Sequence, residues 1–205
     1  MKEKLCVAFL GLLLGAVIVI TGINAYTLLG NSSRKQELTL VGATGAFDYS
    51  HKLEGFIPLG TDHYWLGLDQ TTGKIYYIRA SQKWFDKNFP NGEPKDADGV
   101  KITGVQCKVT DHELRDAMDQ HMKDLGVPVL NRGSKNGEFL MLNSASVGIF
   151  SLFVAIGGLL SVIFGILIYV KRDSFPIKVK TIFGCFILVW AMAVAFYLVR
   201  FGLLI

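Results

Sequence analysis

Residues 145–170 read ASVGIFSLFVAIGGLLSVIFGILIYV, and no side chain in that run carries a charge. A helix advances about 1.5 Å per residue, so the run is long enough to cross a hydrocarbon layer about 30 Å thick without asking lipid to solvate an ion. Two further stretches, Leu5 to Ile23 and Thr181 to Val199, are equally free of Asp, Glu, Lys and Arg. The chain is therefore expected to be an integral membrane protein of mixed α+β class. Residues 1–29 read as an N-terminal transmembrane anchor, 30–143 as one extracytoplasmic α+β domain, and 144–205 as a transmembrane helical hairpin closed by a cytoplasmic basic loop at 171–180.

The composition fits that division. Hydrophobic residues make up 51% of the chain and mean hydropathy is +0.38, more apolar than a water-soluble domain, yet 19% of residues are charged, too many for a chain lying wholly in lipid. Most charges fall in 30–143, where acids and bases nearly balance, so that domain carries no nucleic-acid footprint. The net charge of +4 comes from the ends and the short loop. In that loop Lys171, Arg172, Lys178 and Lys180 oppose the single acid Asp173, and Lys2 and Lys4 precede the first apolar run. The positive-inside rule places both on the cytoplasmic side of the plasma membrane. A multi-pass topology follows, with the N-terminus in, the central domain out and the C-terminus out. Arg200, near the end of the last run, is expected to snorkel to the outer interface.

The first apolar run exceeds the usual 7–15 residues of a signal-peptide core, and Ile23-Asn24-Ala25 is a poor cleavage site, so retention as an anchor is expected. Cys6 stands too close to the start to be a lipoprotein site. With Cys107 and Cys185 the cysteines fall one per region, and the domain has no disulfide framework. Asn31-Ser32-Ser33 has the form of a glycosylation sequon but reads as a polar exit from the first helix.

Within the domain, Glu37 to Val41 alternates as a first strand, punctuated by Gly42 and Gly45. His63–Asp69 and Lys74–Ala80 alternate around Gln70-Thr71-Thr72-Gly73, which predicts a hairpin with Gly73 at positive φ. Its core face is read as Tyr64, Leu66, Leu68, Tyr76 and Ile78. Ser81 caps a short helix to Phe89, stopped by Pro90-Asn91-Gly92. Val100 to Val109 reads as a strand whose apolar phase changes at Gly104, which predicts a bulge. Thr110 with Glu113 forms a capping box ahead of a helix whose Leu114, Ala117, Met118, His121, Met122 and Leu125 recur at helical spacing. Val127–Leu130 and Glu138–Leu142 read as a last strand pair. Short strands with glycine bends suit an OB-like, partly closed small barrel with a helix at its mouth, and an open sheet covered by helices is the alternative.

The order Tyr64-Trp65-Leu66, then Gly73-Lys74-Ile75-Tyr76-Tyr77-Ile78-Arg79-Ala80-Ser81, then Val100-Lys101-Ile102-Thr103-Gly104 leading into a helix, resembles uncharacterised small membrane proteins of Firmicute bacteria that contain a domain of unknown function. The resemblance covers about half of the chain and implies a bacterial source; it brings no activity.

Candidate chemistry is sparse. Trp65, Tyr77 and Arg79 are read as one hairpin face opposite the core, a stacking surface for a protein partner or envelope ligand. His112, Asp116 and Asp119 share a helix face and are residue types that bind zinc or manganese, but Arg115–Asp119 and Asp119–Lys123 also stand four apart, the ordinary lacing of a solvated face. Metal is therefore the alternative reading, and no cofactor is expected. His51, Asp62 and His63 are close in sequence, yet no nucleophile motif accompanies them. Gly11, Gly15, Gly157, Ser161, Gly165, Ala191 and Ala195 form small-residue ridges of the kind that let helices approach closely. The expected partners are the lipid bilayer and a membrane protein or a second copy. The expected function is a non-enzymatic membrane-anchored binding module. A membrane-bound metal-dependent hydrolase and an accessory subunit of a transporter complex are the alternatives.

Overall fold

The structure, a computed structural model, describes residues 2–30, 32–53, 57–109, 111–134, 137–170 and 174–201. Helix α1 (Lys2–Leu29) leads into strand β1 (Lys35–Leu53). Then come β2 (Ile57–Asp69), β3 (Ile75–Arg79), α2 (Gln82–Asn88), β4 (Val100–Lys108), α3 (His112–Asp124), β5 (Glu138–Met141), α4 (Ser144–Val170) and α5 (Ile177–Arg200). The mixed α+β class is as expected, and α1, α4 and α5 are long and apolar enough to cross a membrane.

The five strands close into a barrel in the order β1-β2-β3-β5-β4. Every pairing is antiparallel except β3 with β5. Gly67 shows which face points inward. A Cβ there would come within 2.5 Å of Ile78 Cδ1 and 3.0 Å of Leu40 Cδ2, so side chains from β1 and β3 converge over the strand between them, as happens on a concave face. The interior thus holds Leu38, Leu40, Trp65, Tyr76, Ile78, Val100, Ile102 and Leu140. Helix α2 closes one end. Ser81 accepts the Trp84 N–H and starts the helix as expected, and Phe85 stacks on Trp65 with ring centroids 3.6 Å apart.

The same strands bury a second layer on their outer side. Tyr64, Leu66, Tyr77, Val105, Cys107, Phe139 and Met141 lie beneath Leu114, Met118 and Met122 of α3. Leu28 of α1, Val147 of α4 and Phe201 join them, so this layer is also where the domain meets the long helices.

Several expectations are corrected here. Gly42 and Gly45 do not end the first strand: they sit at register shifts within the long β1, where glycine lets a strand bend. β4 has no bulge at Gly104, because its ladders with β1 and β5 run unbroken; Val100 and Ile102 face in while Val105 and Cys107 face out, and both sides are covered. The cap of α3 is Asp111, whose carboxylate accepts the N–H groups of Glu113 and Leu114; Thr110 lies outside the described residues. Val127–Leu130 forms no strand, and Val129–Asn131 is instead one turn of 3-10 helix. The Asn31 of the sequon also lies outside the described residues.

Among the long helices, a Cβ on Gly148 would meet Leu29 Cγ at 2.7 Å and one on Gly157 would meet Trp190 Cδ1 at 2.5 Å, so both glycines mark close approach. Ser161 is buried too. At the other expected ridge positions, Gly11, Gly15 and Gly165 have no described atom within 4 Å of a Cβ position, and Ala191 and Ala195 are exposed among the described residues. Polar contacts reinforce the bundle, since the Tyr197 hydroxyl accepts from Asn24 Nδ2 at 2.6 Å and lies 2.8 Å from Ser151 Oγ, joining all three helices.

Candidate functional site

The Trp65, Tyr77 and Arg79 face does not exist. Pairing runs Trp65 with Ile78, Leu66 with Tyr77 and Tyr64 with Arg79, so Trp65 points into the barrel while Tyr77 and Arg79 share the outer face with Tyr64 and Leu66. The four-residue loop is as expected, with the Asp69 N–H bonded to the Lys74 carbonyl, but in that register an even-numbered residue of β2 stands opposite an odd-numbered residue of β3, so the expected even-numbered core set combined two opposite faces. Tyr76 and Ile78 accordingly belong with Trp65 rather than with Tyr64. Tyr77 lies under α3, its hydroxyl donating to the Met118 carbonyl at 2.8 Å beside His121 Nδ1 at 3.1 Å, and burial raises its pKa. The helix-face set does not assemble either. His112 and Asp116 are exposed, Arg115 donates to His112 Nδ1, and among the described residues no group of His, Cys, Asp or Glu is placed to hold a metal.

What the fold does bring together is a charge cluster at the seam between barrel and helices, built on Asp62. Its position on β2 turns the carboxylate to the outer face beside Tyr64, and only 5% of the residue is exposed. His51 Nε2 lies 2.9 Å from Oδ2. Arg79 Nη2 donates to both oxygens, at 2.8 and 2.7 Å. Arg200, at the C-terminal end of α5, donates its Nη2 to Oδ1. Burial alone would raise the Asp62 pKa, but the His51 hydrogen bond and the two guanidiniums outweigh it and hold the carboxyl below its ordinary range. The Phe201 ring lies beneath both arginines, with centroid distances of 5.4 Å to Arg79 and 5.8 Å to Arg200.

The Arg200 side chain is only 14% exposed and is drawn onto the domain. Beside it opens a cleft of about 320 Å³ lined by Thr61, Asp62, His63, Arg79, Ser81, Asn143, Ser146 and Arg200 among others. Asn143, at φ 57°, turns the chain from β5 into α4 with only Leu142 beside it between the two elements, so one wall of the cleft is the first turn of a long helix.

Chemically, the cluster stores charge. An Asp62 carboxylate with both oxygens occupied by cationic donors is a poor base, and Cys107 nearby is an inert thiol whose pKa burial pushes up to about 12. Sequence reasoning placed Asp62, His51 and His63 near one another but missed Arg200, which is 138 residues away. The one available signal was an arginine closing an otherwise apolar run. No protein-family model, curated protein or solved structure matches the chain.

Proposed function

We propose that the chain is a multi-pass protein of the plasma membrane whose barrel is a non-enzymatic binding module on the outer side, with its ligand site in the seam cleft. The observation that carries this reading is the anchoring of Asp62 by Arg79 from the barrel and Arg200 from α5, which holds a polar cleft open where the domain meets the apolar helices. A module that floated on a linker would have no reason to bury such a cluster, because buried ion pairs are weak sources of net stability and often mark specificity.

Two features support the finer parts of the reading. The strand order, the parallel β3–β5 pair and a helix between β3 and β4 closing one end match an OB-like barrel. The basic residues of 171–180, joining α4 and α5, favour a cytoplasmic loop and hence an outer barrel. A protein partner or a second copy would meet the unpacked small residues Gly11, Gly15, Gly165, Ala191 and Ala195.

The test is protease accessibility in spheroplasts combined with carbonate washing of membranes. The expected result is a chain that resists carbonate and loses its barrel to external protease; release by carbonate, or a barrel protected until the membrane is permeabilised, overturns the reading.

A further inference from the structure

Asp62 carries one negative charge against the two guanidiniums of Arg79 and Arg200, so the cluster holds an uncompensated positive charge even with His51 neutral. That excess has a direction. Arg200 Nη2 is taken by Asp62, whereas its Nη1 is buried and has no hydrogen-bond partner among the described residues. A buried donor without an acceptor costs about 1–3 kcal/mol, more when charged, so the position favours an anion bound beside it. The cleft beside Arg200 supplies neutral donors toward an oxyanion shell, the hydroxyl of Ser81 and the amide of Asn143, while the Ser146 hydroxyl is committed to the Asn143 carbonyl at 2.9 Å. The first turn of α4 also lines the cleft, which puts the positive end of its dipole beside the site.

We propose that the seam cleft binds a single phosphate-type oxyanion, of the kind a phospholipid headgroup carries at the depth where α5 ends. The inference rests on the reading of this cleft as the ligand site. Arg200 is suited to the role because a guanidinium offers more than one N–H edge: Nη2 is committed to Asp62, while Nη1 is buried with no acceptor among the described residues. The source of the phosphate follows from position, since Arg200 lies at the end of a helix whose apolar run, Ile177–Leu198, stops two residues earlier.

The experiment uses full-length protein in mild detergent, titrated calorimetrically with short-chain phosphatidylglycerol, inorganic phosphate and a diacylglycerol lacking phosphate. Wild type is expected to bind phosphatidylglycerol at one site, diacylglycerol not at all, and inorganic phosphate more weakly. Arg200→Lys keeps a cation for Asp62 but loses the second N–H edge, and affinity should fall about tenfold or more. Asn143→Gly, which keeps the positive φ and removes the amide donor, should cost about threefold and decides the matter should Arg200→Lys fail to fold. Equal affinity for phosphate and lipid upholds the oxyanion site and overturns the lipid as its source. No binding of either phosphate, or affinity unchanged in both variants, overturns the inference. Carbonate washing of the same membranes keeps the two readings apart: a chain that stays in the membrane yet binds neither phosphate loses this inference alone.

Discussion

Leu40, Ile78 and Leu140 inside the barrel are as thoroughly buried as Met118 and Met122 outside it, yet the two layers draw on different parts of the chain. The inner layer is built from the strands, α2 and the residues that flank them, Ala80, Phe89 and Leu142. The outer layer takes α3 from between β4 and β5 and adds Leu28, Val147 and Phe201 from the ends of the three long helices. One set of side chains therefore makes the barrel, and the other decides what the barrel is attached to. Alternation along each strand makes both possible, because every second residue is assigned to one task.

The inner layer should fail first and most completely. Ile78→Ala, at a site with no exposure and contacts from several strands, is expected to cost about 4 kcal/mol and to abolish cooperative melting of the barrel, read by near-ultraviolet circular dichroism. Asp62→Asn tests the attachment. It leaves Arg79 and Arg200 buried without a counter-charge, and a loss of about 3 kcal/mol is expected, read by thermal melting. Because the folded carboxyl titrates below its unfolded range, its contribution is fully present above about pH 5 and disappears as pH falls through the folded value, so the wild type should lose stability steeply below about pH 4 and Asp62→Asn much less so.

Met118→Ala separates the layers. A loss of about 2 kcal/mol is expected, with α3 loosened over an intact interior. In a chain whose Cys6 and Cys185 are replaced by serine, Cys107 should then react with maleimide well before the barrel melts, whereas in the parent protein labelling and melting should coincide. The smallest effect is expected at the plug. Ser81→Ala removes the acceptor of the Trp84 N–H and should cost about 1 kcal/mol without altering maleimide labelling of Cys107.

Length and charge made the three long helices legible, and local signals found Ser81 as a cap and Gly73 as a turn residue at φ 63°. Facing was harder. The turn ending at Gly73 sets Leu68 opposite Ile75, a register in which Tyr64 and Leu66 share a face with Tyr77 and Arg79 while Trp65 faces the other way with Tyr76 and Ile78; alternation along each strand was legible, but matching the two strands to one face needed the pairing itself. In β4, a phase change that reads as a bulge is an unbroken strand covered on both sides, which a pattern of apolar residues alone cannot distinguish. The seam cluster was hidden for another reason: Asp62 and Arg200 meet only after the barrel closes and α5 returns to it, and no local spacing records that.

Only Leu142 and Asn143 separate β5 from α4, so there is no slack between them. A 27-residue helix is about 40 Å long, and a change in its tilt of even a few degrees displaces its far end by about 3 Å. With Arg200 of α5 holding Asp62 beside the same joint, the barrel is fixed at two points and should follow such a rocking movement as a rigid body. Whatever changes the lean of α4, a neighbouring helix or, in a bilayer, its thickness, would thereby re-aim everything the barrel presents.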